Sequence, residues 1–245
     1  MSQRVKLNSI LADPAAVREV GHGLFTALPE DAVAAPYDRR ATVYDAIVGR
    51  SIYHRIFWGT SAPAYTRFAR NAIDAAGDGC FAEAGCGSLV FTAPMYRDVH
   101  GTFALLVDRS IQMLRRAVKR LRSANGKLQD DVTILHSDVS ALPVRGGVFA
   151  SVLSLNVLHV PCDADAIIAE SSRILMPGQG RLFVSSLVRT GRWSDGYMAA
   201  LHRVGELGSP LTIDDLQLRV AGRWAVVESM KVEGNMCFMV VRHAG

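Results

Sequence analysis

Residues 80–88 read Cys-Phe-Ala-Glu-Ala-Gly-Cys-Gly-Ser, and this stretch decides the fold. A short apolar run, Cys80 to Ala84, passes straight into glycines at 85 and 87. The missing Cβ atoms allow a tight turn and let a ligand approach the backbone closely. Downstream, four more apolar runs (Phe103 to Val107, Val132 to His136, Val148 to Leu155 and Gly180 to Ser186) alternate with helical patterns. That alternation predicts parallel β-α units with helices on both faces of a sheet. Between the second and third runs, Ile111, Leu114, Val118 and Leu121 share one helical face. A second helix, Ala164 to Leu175, stops before Pro177-Gly178, where proline cannot continue the hydrogen bonding. The chain then changes character. Trp224 to Val232 and Met236 to Arg242 are β-rich and joined by Glu233-Gly234-Asn235, a hairpin signal that predicts an antiparallel end to the sheet.

Working outward, residues 1–76 read as an N-terminal helical cap and 77–245 as the α/β core of one domain, since Gly77-Asp78-Gly79 is too short to separate two. In the cap, Tyr37, Ala41, Tyr44 and Val48 recur at helical spacing after the loop Pro29 to Pro36. The net charge of +4 raises nucleic acid as a partner. Its location weakens that idea: residues 80–127 hold eight Lys and Arg against three acids, six of the eight in the run from Arg115 to Lys127 on the helix that begins at Ile111, largely opposite its apolar face. Cys80, Cys86, Cys162 and Cys237 lie far apart with no C-x-x-C pair, so no metal site or disulfide framework is indicated. With no apolar run of membrane-spanning length and no secretory leader pattern, a cytoplasmic location is expected.

Three acids stand at or just beyond strand ends. Glu83 precedes the glycine turn, Asp108 follows the second strand, and Asp138 follows the third with Val139 beside it. A carboxylate at the second strand's end suits the two hydroxyls of an adenosine ribose; one at the third suits an adenine amino group. A dinucleotide loop would want glycine at position 90, where Val90 stands, and no phosphate-gripping residues accompany the acids. The ligand is therefore read as an adenosine without phosphates.

The ordered set Glu83-Ala-Gly-Cys-Gly-Ser, Leu106-Val-Asp-Arg-Ser-Ile-Gln-Met-Leu, Ser137-Asp138 with Ala141-Leu-Pro143, Leu155-Asn-Val-Leu-His159 and Arg173-Ile-Leu-Met-Pro-Gly resembles the class I S-adenosylmethionine-dependent methyltransferases. The resemblance implies a Rossmann-like, doubly wound, mainly parallel seven-stranded sheet with an antiparallel C-terminal hairpin, and S-adenosyl-L-methionine as cofactor. It also implies roles. Glu83 would hold the methionine amino end, directly or through water, over the backbone of Gly85, Cys86 and Gly87. Asp108 would take the ribose, Asp138 and Val139 the adenine with Met113 packed on it, Asn156 would face the methionine portion, and Arg109 would be a further cofactor-binding residue. Leu89 departs from the family, which often has glycine there. The segment Tyr37-Asp-Arg-Arg-Ala-Thr-Val-Tyr-Asp45 looks like the opening segment of the small-molecule branch that includes quinone-ring methyltransferases.

Displacement at an activated methyl needs mainly positioning and exclusion of water. A base is required only where the acceptor carries a proton, and His159, just after the fourth strand, is the candidate. Asn156-Val-Leu-His159 stands where methyltransferases of nucleic-acid or peptide amide nitrogens carry Asn/Asp-Pro-Pro-aromatic, so a small-molecule acceptor is expected and nucleic acid is not. Tyr37, Tyr44 and Trp58 are candidates to roof its pocket. The rival readings are a nicotinamide-dependent oxidoreductase on a related fold, disfavoured by Val90 and the terminal hairpin, and a non-catalytic cofactor-binding protein.

Overall fold

The computed structural model describes residues 2–21, 23–29, 54–97, 99–122, 128–161, 163–222 and 224–245. Nine strands form one sheet: β1 (Arg18–Gly21), β2 (Leu24–Thr26), β3 (Cys80–Ala84), β4 (Phe103–Asp108), β5 (Val132–His136), β6 (Phe149–Leu155), β7 (Arg181–Leu187), β8 (Ala225–Glu233) and β9 (Met236–His243). Their order is β1-β2-β5-β4-β3-β6-β7-β9-β8. From β2 to β7 neighbours are parallel, while β1 on β2, β9 on β7 and β8 on β9 are antiparallel. The seven expected strands, β3 to β9, are present. The N-terminal segment, expected to be purely helical, adds two more: the β1–β2 hairpin extends the sheet beyond β5, with Thr26 in register with His136.

The helices are α1 (Gln3–Asn8), α2 (Ala62–Asp74), α3 (Ala93–Tyr96), α4 (Ile111–Leu121), α5 (Ala164–Ile174), α6 (Ser194–Arg203) and α7 (Ile213–Ala221), with a π-helical turn at His54–Trp58. The helix predicted from Tyr37 onward lies outside the described residues. Side-chain alternation along the strands divides the core into two layers. Ala82, Leu105, Leu135 and Val152 face α1, α5 and α7, whereas Phe81, Leu106, Ile134 and Leu153 face α2 and α4. Both faces being covered, the central strands are continuous apolar runs, as in Phe103 to Val107, all buried. On α4 the predicted stripe packs inward, and the Ser110 hydroxyl caps the helix by accepting the Met113 N–H.

Strand order reverses at β3: β4 and β5 lie to one side, β6 and β7 to the other. In open α/β sheets ligands bind beyond the carboxyl ends of the strands at such a switch point, and here the glycine turn and the loops after β4, β5 and β6 lie at that end.

Candidate cofactor and acceptor site

The glycine turn is tied down by its own backbone. The N–H groups of Gly85 and Cys86 both donate to the Val107 carbonyl at 2.9 Å, and that of Gly87 donates to Asp108 Oδ2 at 2.7 Å. These three amides are thus engaged within the protein and are not offered to a pyrophosphate. Gly85 has φ +76°, and a Cβ there would lie 2.4 Å from Val157 Cγ2; Gly87 has φ +54° and its Cβ would enter open space. Gly85 thus makes room for Val157, and Gly87 is the position at which the turn leaves bare Cα surface that a ligand can approach. Leu89 adopts φ +59°, a conformation glycine favours, with its side chain only 2% exposed among Phe81, Ala93 and Leu114. Left-handed backbone costs about 1–2 kcal/mol, and burying a leucine returns about 1.5–3 kcal/mol, so the departure from glycine is accommodated by packing. The Cys86 thiol is buried, which pushes its pKa well up, and it serves as core. Arg120, assigned by its sequence pattern to the solvent side of α4, instead donates to the Ser88 carbonyl at 2.6 Å and braces the turn.

Asp108 is held at both oxygens: Oδ2 by Gly87 N–H, and Oδ1 by Ser110 N–H at 2.8 Å. A carboxylate accepts up to about four hydrogen bonds, so this anchoring is compatible with accepting two ribose hydroxyls. Asp138 follows β5; its Oδ1 accepts from the Ser140 N–H at 3.0 Å and hydroxyl at 2.6 Å, and its Oδ2 lies 3.4 Å from Arg109 Nη1. Partial burial raises its pKa, but the Ser140 hydroxyl and amide with the Arg109 guanidinium outweigh that and hold it below the usual range. Asp138 is therefore an anion at neutral pH. Val139, partly buried, packs on the core beside it, and Met113 is buried at the start of α4. The loop from Asp138 is secured from below: the Leu142 N–H donates to Glu170 Oε1 at 2.7 Å, and Arg173 bonds both Glu170 oxygens and the Leu142 carbonyl.

Glu83 is 2% exposed, and its carboxyl accepts from the Tyr96 hydroxyl and, at 3.3 Å, from the Thr92 hydroxyl. Burial raises its pKa to about 8, against the lowering pull of those two hydroxyls and with a further push from Asp108. At neutral pH it is mainly a neutral acid beneath the turn, and its side chain braces Thr92–Tyr96. Because the folded state keeps a proton that the unfolded chain releases above about 4.5, this contribution to stability is full below 4.5 and is lost as pH rises through about 8. Glu83→Gln, which keeps the shape without the charge, is expected to melt above wild type at pH beyond 8, the gap narrowing toward pH 4.5. Melting curves at both ends decide; a constant offset would refute the assignment.

At the end of β6, Asn156 adopts φ +60°, where asparagine is among the few tolerated residues. Its N–H donates to Ser185, and its Oδ1 accepts from the Ser185 hydroxyl at 3.0 Å. His159, the candidate base, lies partly buried just beyond β6 and is engaged by β7. The Leu187 N–H donates to its Nδ1 at 3.1 Å, so that lone pair is committed and the ring hydrogen sits on Nε2. Burial, aided by neighbouring His54, pushes its pKa down to about 3, so the ring is neutral and unready to take a proton. His54 is buried, 3.1 Å from the Tyr65 hydroxyl and edge-on to Tyr65 and Phe91. Trp58, only 4% exposed, stacks on Tyr197 in a cluster with Leu187, Met198 and Met236 at the same end of the sheet. Tyr37 and Tyr44 lie outside the described residues.

A strand switch point with a glycine turn and carboxylates at adjoining strand ends defines a Rossmann-like domain suited to an adenosine lacking phosphates. Residues 81–178 match the family model described as a methyltransferase domain. A search of curated proteins returned no match. Among solved structures, the chain is similar to one from the complex of the Haloferax volcanii Trm112 methyltransferase activator with its methyltransferase, at 16% identity over 87% of this chain and 100% of that one, with a TM-score of 0.62. It is also similar to the [4+2]-cyclase SpnF, at 14% identity over 86% of this chain and 97% of that one, TM-score 0.65. Geranyl diphosphate C-methyltransferase from Streptomyces coelicolor A3(2), solved with S-adenosyl-L-homocysteine, aligns at 14% identity over 86% of this chain and 81% of that one, TM-score 0.58. At these identities the likeness is one of fold. No described helix is long and apolar enough to cross a membrane.

Proposed function

We propose that the protein transfers the methyl group of S-adenosylmethionine to O, C or N of a small-molecule metabolite. The observation that carries this reading is the aromatic cluster at the end of β7, where partly exposed Phe57, Phe91 and Tyr197 pack on buried Trp58 and Tyr65 and where the Leu187 N–H holds His159. Such a wall suits an apolar or flat compound better than a phosphate backbone. The basic side chains of α4, by contrast, lie on its outer side or reach back to the glycine turn.

The cofactor supplies an electrophilic methyl on a sulfonium whose thioether leaves as a neutral group. Asp108 would accept from the ribose hydroxyls, Asp138 from the adenine amino group, with Val139 and Met113 against the ring. Asn156 would face the methionine portion, and the turn from Gly85 to Gly87 would let it approach the backbone. The aromatic wall orients the acceptor and excludes water, which is where the rate advantage arises when the electrophile is already activated. With His159 committed to Leu187, acceptors that need no deprotonation by this residue are favoured. The thiols of Cys80, Cys86 and Cys237 are free, in keeping with a reducing, cytoplasmic setting.

S-adenosylhomocysteine at about 100 times its Kd should add ~2.7 kcal/mol, a melting shift of about 5–11 °C for a domain of this size, whereas NADH should give none. The reverse pattern would exclude the reading. Acceptor-dependent release of S-adenosylhomocysteine from pooled apolar metabolites, set beside pooled tRNA and peptides, tests the acceptor class.

A further inference from the structure

The N-terminal hairpin, absent from the expected sheet, reaches the ribose carboxylate through a single ring. His136 ends β5, opposite Asp108 of β4 on one side and Thr26 of β2 on the other. Its Nε2 lies 3.0 Å from the Arg109 carbonyl, which can only accept, so Nε2 carries the hydrogen. In the neutral ring Nδ1 is then an acceptor, and it lies 3.0 Å from the hydroxyl of buried Thr26, whose one hydrogen it shares with the Leu28 carbonyl at 3.3 Å. That hydroxyl oxygen in turn accepts the Leu28 N–H at 3.2 Å. The carbonyl that receives His136 belongs to the Arg109–Ser110 peptide. The N–H of the same peptide donates to Asp108 Oδ1 at 2.8 Å. Because a peptide is planar, fixing its carbonyl fixes the direction of its N–H and hence the carboxylate that N–H holds. The Ser137 N–H, next to His136, closes the unit by donating to the Asp108 carbonyl at 3.1 Å.

We propose that His136, held in one tautomer by Thr26, is a positioning residue for the Asp108 carboxylate, and that the β1–β2 hairpin is thereby part of the cofactor site. The proposal rests on the methyltransferase reading and on Asp108 as the ribose acceptor. The ring touches neither cofactor nor acceptor in this role; it sets the angle of the peptide that aims Asp108. Arg109, on the same peptide, carries its side chain toward Asp138, so the ring sits behind both adenosine-facing acids.

Titration calorimetry of the full chain with S-adenosylhomocysteine tests this. His136→Phe should weaken binding about tenfold, the size of one lost hydrogen bond to a polarised partner, and Thr26→Val about threefold. His136→Gln, whose amide N–H can replace Nε2–H, should recover most of the affinity. In an Asp108→Ala background, which removes the acceptor of the Ser110 N–H, the His136→Phe loss should shrink to less than about twofold, since the two residues act through one peptide. A full tenfold loss in that background, or no rescue by glutamine, would mean that the ring only supports the fold and would overturn the proposal. Unchanged affinity in both His136→Phe and Thr26→Val would do the same. If wild type itself binds no S-adenosylhomocysteine, the function reading falls first; if wild type binds and the variants match it, only the His136 role falls.

Discussion

Asp108→Ala is expected to weaken binding of S-adenosylhomocysteine by about a hundredfold or more. Two charge-assisted hydrogen bonds to a ribose diol are worth about 1.5–3 kcal/mol each, and tenfold in Kd corresponds to ~1.4 kcal/mol. The substitution also strips the acceptor from Gly87 N–H and from Ser110 N–H, so the glycine turn loses one of its three ties to β4, the one at 2.7 Å. Stability should suffer less. The carboxylate is only half-buried, so water can replace it at both amides, and the unliganded protein should lose about 1–2 kcal/mol. Asp108→Asn keeps one acceptor oxygen without the charge and should fall between wild type and alanine. Calorimetric titration with melting curves as the folding control separates the two effects; an unchanged Kd in Asp108→Ala would remove the ribose assignment.

The β-α core was legible because buried parallel strands are continuous apolar runs between polar or glycine-rich turns. Cys80 to Ala84 and Val132 to His136 coincide with their strands, and the others differ by a residue or so at an end. Strands β1 and β2 were not legible: four and three residues long, they carry too little alternation to register, and only pairing with β5 makes β2 a strand. At the site, the positions of Asp108 and Asp138 followed from strand ends. Their partners did not, since Arg120 reaches a carbonyl 32 residues away and Glu170 holds the amide of Leu142 across 28. The state of Glu83 depends on burial under Thr92 and Tyr96, on a short helix without periodicity of its own. For His159 the sequence placed the ring near the crevice, but which nitrogen meets the Leu187 amide is a matter of rotamer.

The hairpin tip supplies the second large effect: Gly234→Ala is expected to destabilise the protein by about 3 kcal/mol or more. A Cβ at 234 would stand 2.0 Å from the Trp58 carbonyl oxygen and 2.6 Å from Gly59 Cα, and both neighbours are backbone, so no side chain can swing aside. The backbone there has φ +63°, adding about 1 kcal/mol for any residue with a Cβ. Displacing Trp58–Gly59 would also break the bond from Asn235 N–H to the Trp58 carbonyl at 2.8 Å. Asn235, fully buried, further accepts from the Ser194 hydroxyl at 2.6 Å and donates to the Val188 carbonyl at 3.0 Å and Asp195 Oδ1 at 2.7 Å. Glu233-Gly234-Asn235 is thus more than a turn: it joins the C-terminal hairpin, the start of α6 and the aromatic cluster around Trp58. At ~2–4 °C per kcal/mol, the melting point should fall by about 6–12 °C. Gly205→Ala is the control, since Gly205 has a similar φ of +75° but nothing within 4 Å of its Cβ, and it should cost only the backbone strain. Equal losses in the two variants would mean that Trp58–Gly59 does not sit against the tip. A large loss confined to Gly234→Ala, with weaker acceptor turnover at temperatures where the protein is still folded, would tie the aromatic wall to the hairpin that holds it.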